Sequence, residues 1–309
     1  MVPPVFFATL LSVHSHSGAS AFRGTTYLQR TWTTHQVIQP SRQGWISPAA
    51  SGKALLYVAN YQSPGNVEIY DAIGRNQSPI GQITAGLDGP EGMAVDLHRR
   101  LYVTNTNNNT VTVYKPGQTT PFKTYSQGMD GPAGAVVGND GTLYVADLYS
   151  NNVVAFAHGS KVPTTIYTGL NFPIGVTLDA SNNLYVTNSG SQDIIEFLSG
   201  STQGMNLGIT LQIPSGIAID MNGDLVIANQ SPAGIYVYPP GKTNPSEVFG
   251  QEGDPNPIAF LKNEKLLFVG EPLTPAVNVY AYPSGKKVNT ITNGVVFPAG
   301  VAVSPRAPF

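Results

Sequence analysis

Apolar and polar positions in this chain alternate in short bursts rather than helical stripes. Residues 172–200 set the pattern: a Pro-x-Gly turn, an apolar run, a polar turn, LYVTN, a second polar turn, and an alternating run closed by glycine. Residues 176–179 and 184–187 are short and rich in apolar and β-branched side chains, which predicts strands buried on both faces. Residues 194–197 continue the pattern. Asp140-Gly141 and Asn222-Gly223 fall between the first two runs and are dipeptides that two-residue hairpins favour. No run of ten or more residues keeps a helical period without Gly or Pro.

The unit recurs, and three anchors align its copies. Leu56, Leu101, Leu143, Leu184, Leu225 and Leu267 open the second strand, at spacings of 45, 42, 41, 41 and 42. Tyr70, Tyr114, Phe156, Phe197, Tyr238 and Tyr280 close the third, 13 residues later except in the first copy, where the interval is 14. Pro90, Pro132, Pro173, Pro214, Pro257 and Pro298 mark the turns. A fixed period near 42 with four short strands per unit predicts an all-β, six-bladed β-propeller of four-stranded blades. A single sheet cannot bury both faces alone, so the copies must stack around an axis.

The two ends of the repeat are incomplete in complementary ways. The first copy supplies strands at 54–59, 67–70 and 80–85 with no Pro-x-Gly strand before them. The segment 297–304, FPAGVAVS, is a first strand with nothing after it. Closure of the first blade by this C-terminal strand removes both free edges. The alternative places WISPAAS, at 45–51, in that inner position. The sixth copy lacks the glycine after Pro257 and carries Gly270-Glu271-Pro272 in place of Ala/Thr-Asn. Such deviations are candidates for function, with drift the preferred reading.

With LYVTN at 101–105 and 184–188 and GPEGMAVD at 89–96, the chain resembles the NHL and YVTN repeat propellers over roughly residues 54 to 304. Its repeats also look like those of secreted propellers of soil bacteria, which implies a bacterial extracytoplasmic protein. The wider class includes interaction modules, streptogramin lyases, the amidating lyase and gluconolactonase-like metal hydrolases, so the resemblance implies a fold and not an activity.

Composition narrows the choice. Charged residues make up only 11% of the chain, against roughly 25% in an average soluble domain. Cysteine is absent, which removes thiol chemistry and disulfides. Residues 1–21 read as a secretory signal, with the apolar run VFFATLLSV and an Ala-Ser-Ala site, though MVPP lacks the usual basic residue. The run is too short for a membrane span. Residues 22–43 form a tether with three arginines and no acid, and the propeller occupies 44–309. All 18 acids and 13 of the 16 bases follow Gln43, giving the propeller a formal charge of −5. Sparse, scattered Lys and Arg do not provide a nucleic-acid footprint. A secreted or periplasmic monomer is expected.

Histidine chemistry is thin. Only His98 and His158 lie in the propeller, both in turns. The streptogramin-lyase resemblance would need a histidine in a late repeat, and none follows His158. Carboxylates and amides offer more. Strand two ends at a ring of like positions, Asn60, Asn105, Asp147, Asn188, Asn229 and Glu271. That end shares a face with the Pro-x-Gly turns, where Glu91 stands between proline and glycine. Side-chain capping of the following turn is one reading of the ring. The other is a ligand site in which Glu91, Asp147 and Glu271 hold a hard divalent cation such as calcium. Asp96, Asp179 and Asp220, at the opposite end of strand one, are expected to cap turns. The function expected is binding of a protein or glycan on one face, with no cofactor. The alternative is a metal-assisted hydrolase or lyase acting in the channel.

Overall fold

The structure, a computed structural model, describes residues 43–74 and 78–307. The signal at 1–21 and the tether up to residue 42 lie outside the described residues. Six antiparallel sheets follow one another as the blades of a propeller. In blade 4 the strands run, from the channel outwards, Pro173–Leu178, Leu184–Asn188, Asp193–Phe197 and Gly204–Thr210. Blades 2, 3 and 5 repeat this order from Pro90–Val95, Pro132–Val137 and Pro214–Ile219, and blade 6 from the shorter Ile258–Phe260.

Blade 1 is closed by the C-terminal strand. Pro298–Ser304 pairs with Leu55–Asn60, placing Gly300 opposite Ala59 and Ser304 opposite Leu55. WISPAAS does not take the inner position. Trp45–Ile46 instead adds a fifth strand at the outer edge, beside Gly81–Ile83.

The alignment anchors are core residues. All six leucines and all six strand-three aromatics are buried. Six apolar clusters form among the described residues, one at each junction between neighbouring blades. Leu56, Val58 and Val301 of blade 1, for example, pack against Phe268, Val277 and Val279 of blade 6. Burial of apolar area between blades therefore holds the ring together, as repeat architectures require.

The hairpins joining strands one and two are wider than the Asp-Gly and Asn-Gly dipeptides predict. In blade 3 the N–H of Gly138 bonds the Thr142 carbonyl, enclosing three residues, and Gly141 takes the left-handed conformation, φ 84°. Arg99, Asn182 and Gly223 hold the same position and hand, at φ 59°, 61° and 84°. The glycine serves a three-residue turn ending in a left-handed residue, and Arg or Asn substitutes at moderate cost.

The Pro-x-Gly step is a bulge. In blade 4, Pro173 opposes Asn188 and Val176 opposes Val186, so Ile174-Gly175 face the single residue Thr187. Blades 2, 3 and 5 repeat the two-against-one register. A bulge of this kind re-aims side chains, and here Glu91, Ile174 and Ser215 reach the lining of the central channel.

The glycine has a separate cause. A Cβ on Gly92, Gly134, Gly175, Gly216 or Gly300 would lie 1.8–2.2 Å from a backbone carbonyl oxygen of the next blade: that of Ala133, Ile174, Ser215, Asn256 or Glu91. Inner strands thus meet backbone to backbone around the ring. Blade 6 meets the same demand differently: its glycine sits on strand two, where a Cβ on Gly270 would be 2.9 Å from the Pro298 carbonyl. The sixth copy's departure is a compensated swap.

Candidate functional site

The ring at the end of strand two is a set of caps. Asn105 Oδ1 accepts the Asp88 N–H at 3.2 Å, Asp147 Oδ1 that of Asp130 at 2.6 Å, and Asn188 Oδ1 that of Asn171 at 2.6 Å. Asn229 Oδ1 accepts from Ile213 at 3.0 Å, Glu271 Oε2 from Asp254 at 2.9 Å, and Asn60 Oδ1 from Val296 at 2.9 Å. All six side chains are buried. Each reaches back to the loop that enters its own blade, so one buried acceptor fastens every inter-blade crossing and satisfies an otherwise orphaned N–H. The following turn is held as well in places, as where Asn229 Nδ2 donates to the Ser231 and Pro232 carbonyls. Asp96, Asp179 and Asp220 cap turns as expected: each Oδ1 accepts two backbone N–H groups, two and four residues ahead.

The threonine of LYVTN has its own part. Thr187 Oγ1 accepts the Gly175 N–H at 2.7 Å and donates to the Ser215 carbonyl of blade 5 at 2.7 Å. Thr104 does the same between Gly92 and Ala133. In blade 5, where strand two carries Ala228, the Ser215 hydroxyl reaches the Pro255 carbonyl of blade 6 at 3.0 Å.

Glu91, Asp147 and Glu271 are not brought together. Among the described residues no group of three or more His, Asp or Glu side chains converges as a metal centre needs. Burial pushes Asp147 up to about 6 against hydrogen bonds from Ser150 and the Asp130 N–H. Burial likewise pushes Glu271 up to about 7, opposed by the Asn278 side chain and the Asp254 N–H.

Glu91 differs from the ring residues. It lies on the channel wall among Met93, Ala135, Ile174, Val176 and Ile217, in a cavity of about 100 Å³. It is the one ionisable side chain on that lining. Thr106 Oγ1 donates to Glu91 Oε2 at 2.7 Å, and Oε1 takes no hydrogen bond from a described residue. The same Thr106 hydroxyl also faces the Pro132 carbonyl at 2.9 Å. One hydroxyl carries one hydrogen, so both contacts are satisfied together when Glu91 is protonated and donates to Thr106. Burial acts in the same direction, pushing Glu91 up to about 7.

Around this mouth stand residues the sequence reading passed over. The Tyr61 ring packs on Phe297 at 6.0 Å, and its hydroxyl donates to Asn107 Oδ1 at 3.0 Å. Asn107 Nδ2 donates to Asp88 Oδ1. Tyr149 is 47% exposed and lies over Gly131, and both tyrosines feel the Glu91 charge. Their signal was an aromatic one or two places after a ring residue, visible in only two copies. Asp88, Asp130 and Asp254 lie in loops of this face and Asp193 opens a strand there, while among the described residues no Lys or Arg lies in those loops. His98 and His158 sit at the opposite end, after strands one and three.

That opposite end of the channel is crossed by the C-terminal segment. Arg306 Nη1 donates to the Val137 carbonyl of blade 3 at 3.1 Å, and Nη2 to Asn139 Oδ1 at 2.6 Å. Ala307 packs against the apolar cluster that blades 5 and 6 share. Blades 3 and 6 stand opposite in a ring of six, so the segment spans it.

No protein-family model and no curated protein matches this chain. Among solved structures, a chain of the nidogen/laminin complex is similar, with 17% identity and a TM-score of 0.66 over 81% of this chain and 98% of that one. Virginiamycin B lyase from Staphylococcus aureus is similar at 15% identity and a TM-score of 0.51, over 64% of this chain and 68% of that one. At these identities the likeness is one of fold: this chain is a six-bladed β-propeller, similar in architecture to both.

Proposed function

We propose that this is a non-catalytic propeller of the NHL/YVTN kind that holds a protein partner, with a glycan as the alternative ligand, on the face carrying Glu91. The observation that supports this most is how the polar groups are used. The six ring residues and the three strand-one aspartates serve as backbone caps, which leaves Glu91 with the mouth tyrosines as the open chemistry. Tyrosines are characteristic of interface anchors. A propeller of like fold occurs in the nidogen/laminin complex, which fits a binding role without assigning a partner.

The test is a panel of cationic, neutral and acidic peptides with a glycan array, probed with wild type, Tyr149→Arg and Lys262→Glu. Ligand retention removed by Tyr149→Arg and kept by Lys262→Glu is expected. Loss only with Lys262→Glu, on the opposite face, sinks the proposal. A metal-assisted hydrolase or lyase is the second reading, favoured by the raised proton affinity of Glu91 on the channel wall. Calcium and magnesium titration of wild type against Glu91→Gln, with Asp147→Asn and Glu271→Gln as comparisons, separates the two: heat in wild type that Glu91→Gln removes supports the enzyme. Export is part of the proposal, and N-terminal sequencing of secreted material should begin at Phe22.

A further inference from the structure

We infer that the channel mouth receives a lysine side chain from a protein partner, its alkyl stem against the aliphatic side chains of the channel and its ammonium on the Glu91 carboxylate. This rests on the partner-binding reading above and names the chemistry of the contact.

Four observations carry it. The C-terminal segment lies at the far end of the channel, Arg306 bonding blade 3 and Ala307 packing against the cluster of blades 5 and 6, so the Glu91 face is the less obstructed way in. The cavity wall is mixed, with Glu91, Ser215, Asn256 and glycine backbone beside Met93, Ile174, Val176 and Ile217, whose side chains are placed to cover methylenes. Its volume of about 100 Å³ is less than the roughly 150 Å³ of an engineered cavity that binds benzene. A thin, unbranched chain fits such a space. Glu91 presents Oε1 without a hydrogen-bond partner among the described residues, while Oε2 is held by Thr106.

Acids predominate around the mouth. Asp88 and Asp130 flank the mouth, and Tyr61 and Tyr149 are the other titratable groups facing Glu91. Among the described residues no Lys or Arg lies in the loops of this face, and the Lys287 ammonium that reaches one of them is paired with Glu252. A cation is therefore drawn in, and an anion or second carboxylate is rejected. Lysine suits the site better than arginine, since a flexible stem ending in a compact charge enters where a planar fork cannot. Entry of the ammonium favours ionised Glu91, so binding near neutral pH releases a proton.

The probe is a capped pentapeptide with one lysine among four glycines, compared with its Nε-acetyl counterpart and with n-butylammonium. Calorimetry at pH 7 in two buffers of different ionisation heat reads affinity and proton release together. Wild type should bind the lysine peptide, bind the acetylated peptide at least about tenfold more weakly, and release a proton. Glu91→Gln should weaken binding at least about tenfold with no proton release, and Ile174→Phe, which narrows the channel from another blade, should also weaken it. Thermal midpoints confirm that both variants fold. Equal binding of the acetylated peptide, undiminished binding by Glu91→Gln, or no binding of the lysine peptide overturns the inference. Binding of n-butylammonium alone also overturns it, marking a free-amine site. If the lysine peptide fails while Tyr149→Arg still removes a panel ligand, the partner-binding reading stands and only the lysine falls.

Discussion

Gly175→Ala is the sharpest perturbation the ring allows. The added methyl would stand 2.2 Å from the Ser215 carbonyl oxygen, 3.0 Å from Thr187 Oγ1 and 3.2 Å from Ile217 Cγ2. The first neighbour is backbone of the next blade and cannot rotate away. Relieving it moves the blade 4–blade 5 junction by about 1 Å, and overpacking of this order costs about 1–3 kcal/mol. The same movement stretches the Thr187 bridge from the Gly175 N–H to the Ser215 carbonyl, which adds about 1 kcal/mol. A total of about 2–4 kcal/mol corresponds to a fall of roughly 5–10 °C in melting midpoint for a domain of this size. Gly200→Ala is the control: its φ is +81° and nothing lies within 4 Å, so it incurs only the left-handed backbone cost of about 1–2 kcal/mol. Both are read by thermal and urea unfolding followed by circular dichroism. If Gly175→Ala loses no more than Gly200→Ala, close backbone approach is not the reason for the repeated glycine.

Thr187→Val keeps the shape but leaves the Gly175 N–H and the Ser215 carbonyl without the hydroxyl between them; a loss of about 1–3 kcal/mol in urea unfolding is expected. Asn188→Ala strands the Asn171 N–H and should cost about 0.5–2 kcal/mol, with hydrogen exchange faster at Asn171 than in blades 1 and 6. Deleting residues 298–309 removes the inner strand of blade 1 with buried Val301 and Val303, and an unchanged melting midpoint would refute closure; a drop of several kcal/mol is expected. Stability should be highest near pH 4.5 and fall as pH rises through about 7, because folded Glu91 and Glu271 hold protons up to about 7 that the unfolded chain releases near 4.5. For Glu271 the difference corresponds to roughly 3 kcal/mol, and Glu271→Gln should flatten that slope.

The fold was legible because its causes recur. Leucine and aromatic anchors return every 41 to 45 residues, since each blade buries the same faces against its neighbours. Other features needed the structure because their causes lie between blades. Nothing local to Asn188 indicates that its Oδ1 reaches Asn171, 17 residues upstream, while its Nδ2 spans the next turn to Asp193. The glycine of Pro-x-Gly reads as a turn residue, yet the demand comes from a carbonyl in the following copy. Trp45–Ile46 is two residues long, too short for any period, so its place at the outer edge left no trace in the pattern. Of the candidate site residues, Glu91 alone reached the channel lining. It was marked by standing at the variable position of an otherwise uniform turn.

That variable position has an evolutionary consequence. Proline and glycine on either side are held by bulge geometry and by contacts too short for one more methyl. The residue between them is not, and it is Glu91, Ala133, Ile174, Ser215 or Ala299 in different copies. The scaffold therefore works like a dial lock with a rigid case: the chemistry of the bore can be reset one wheel at a time, while the diameter stays fixed by the thickness of the backbone. New ligand specificities are reachable by single substitutions at these wheels, with no change elsewhere in the ring.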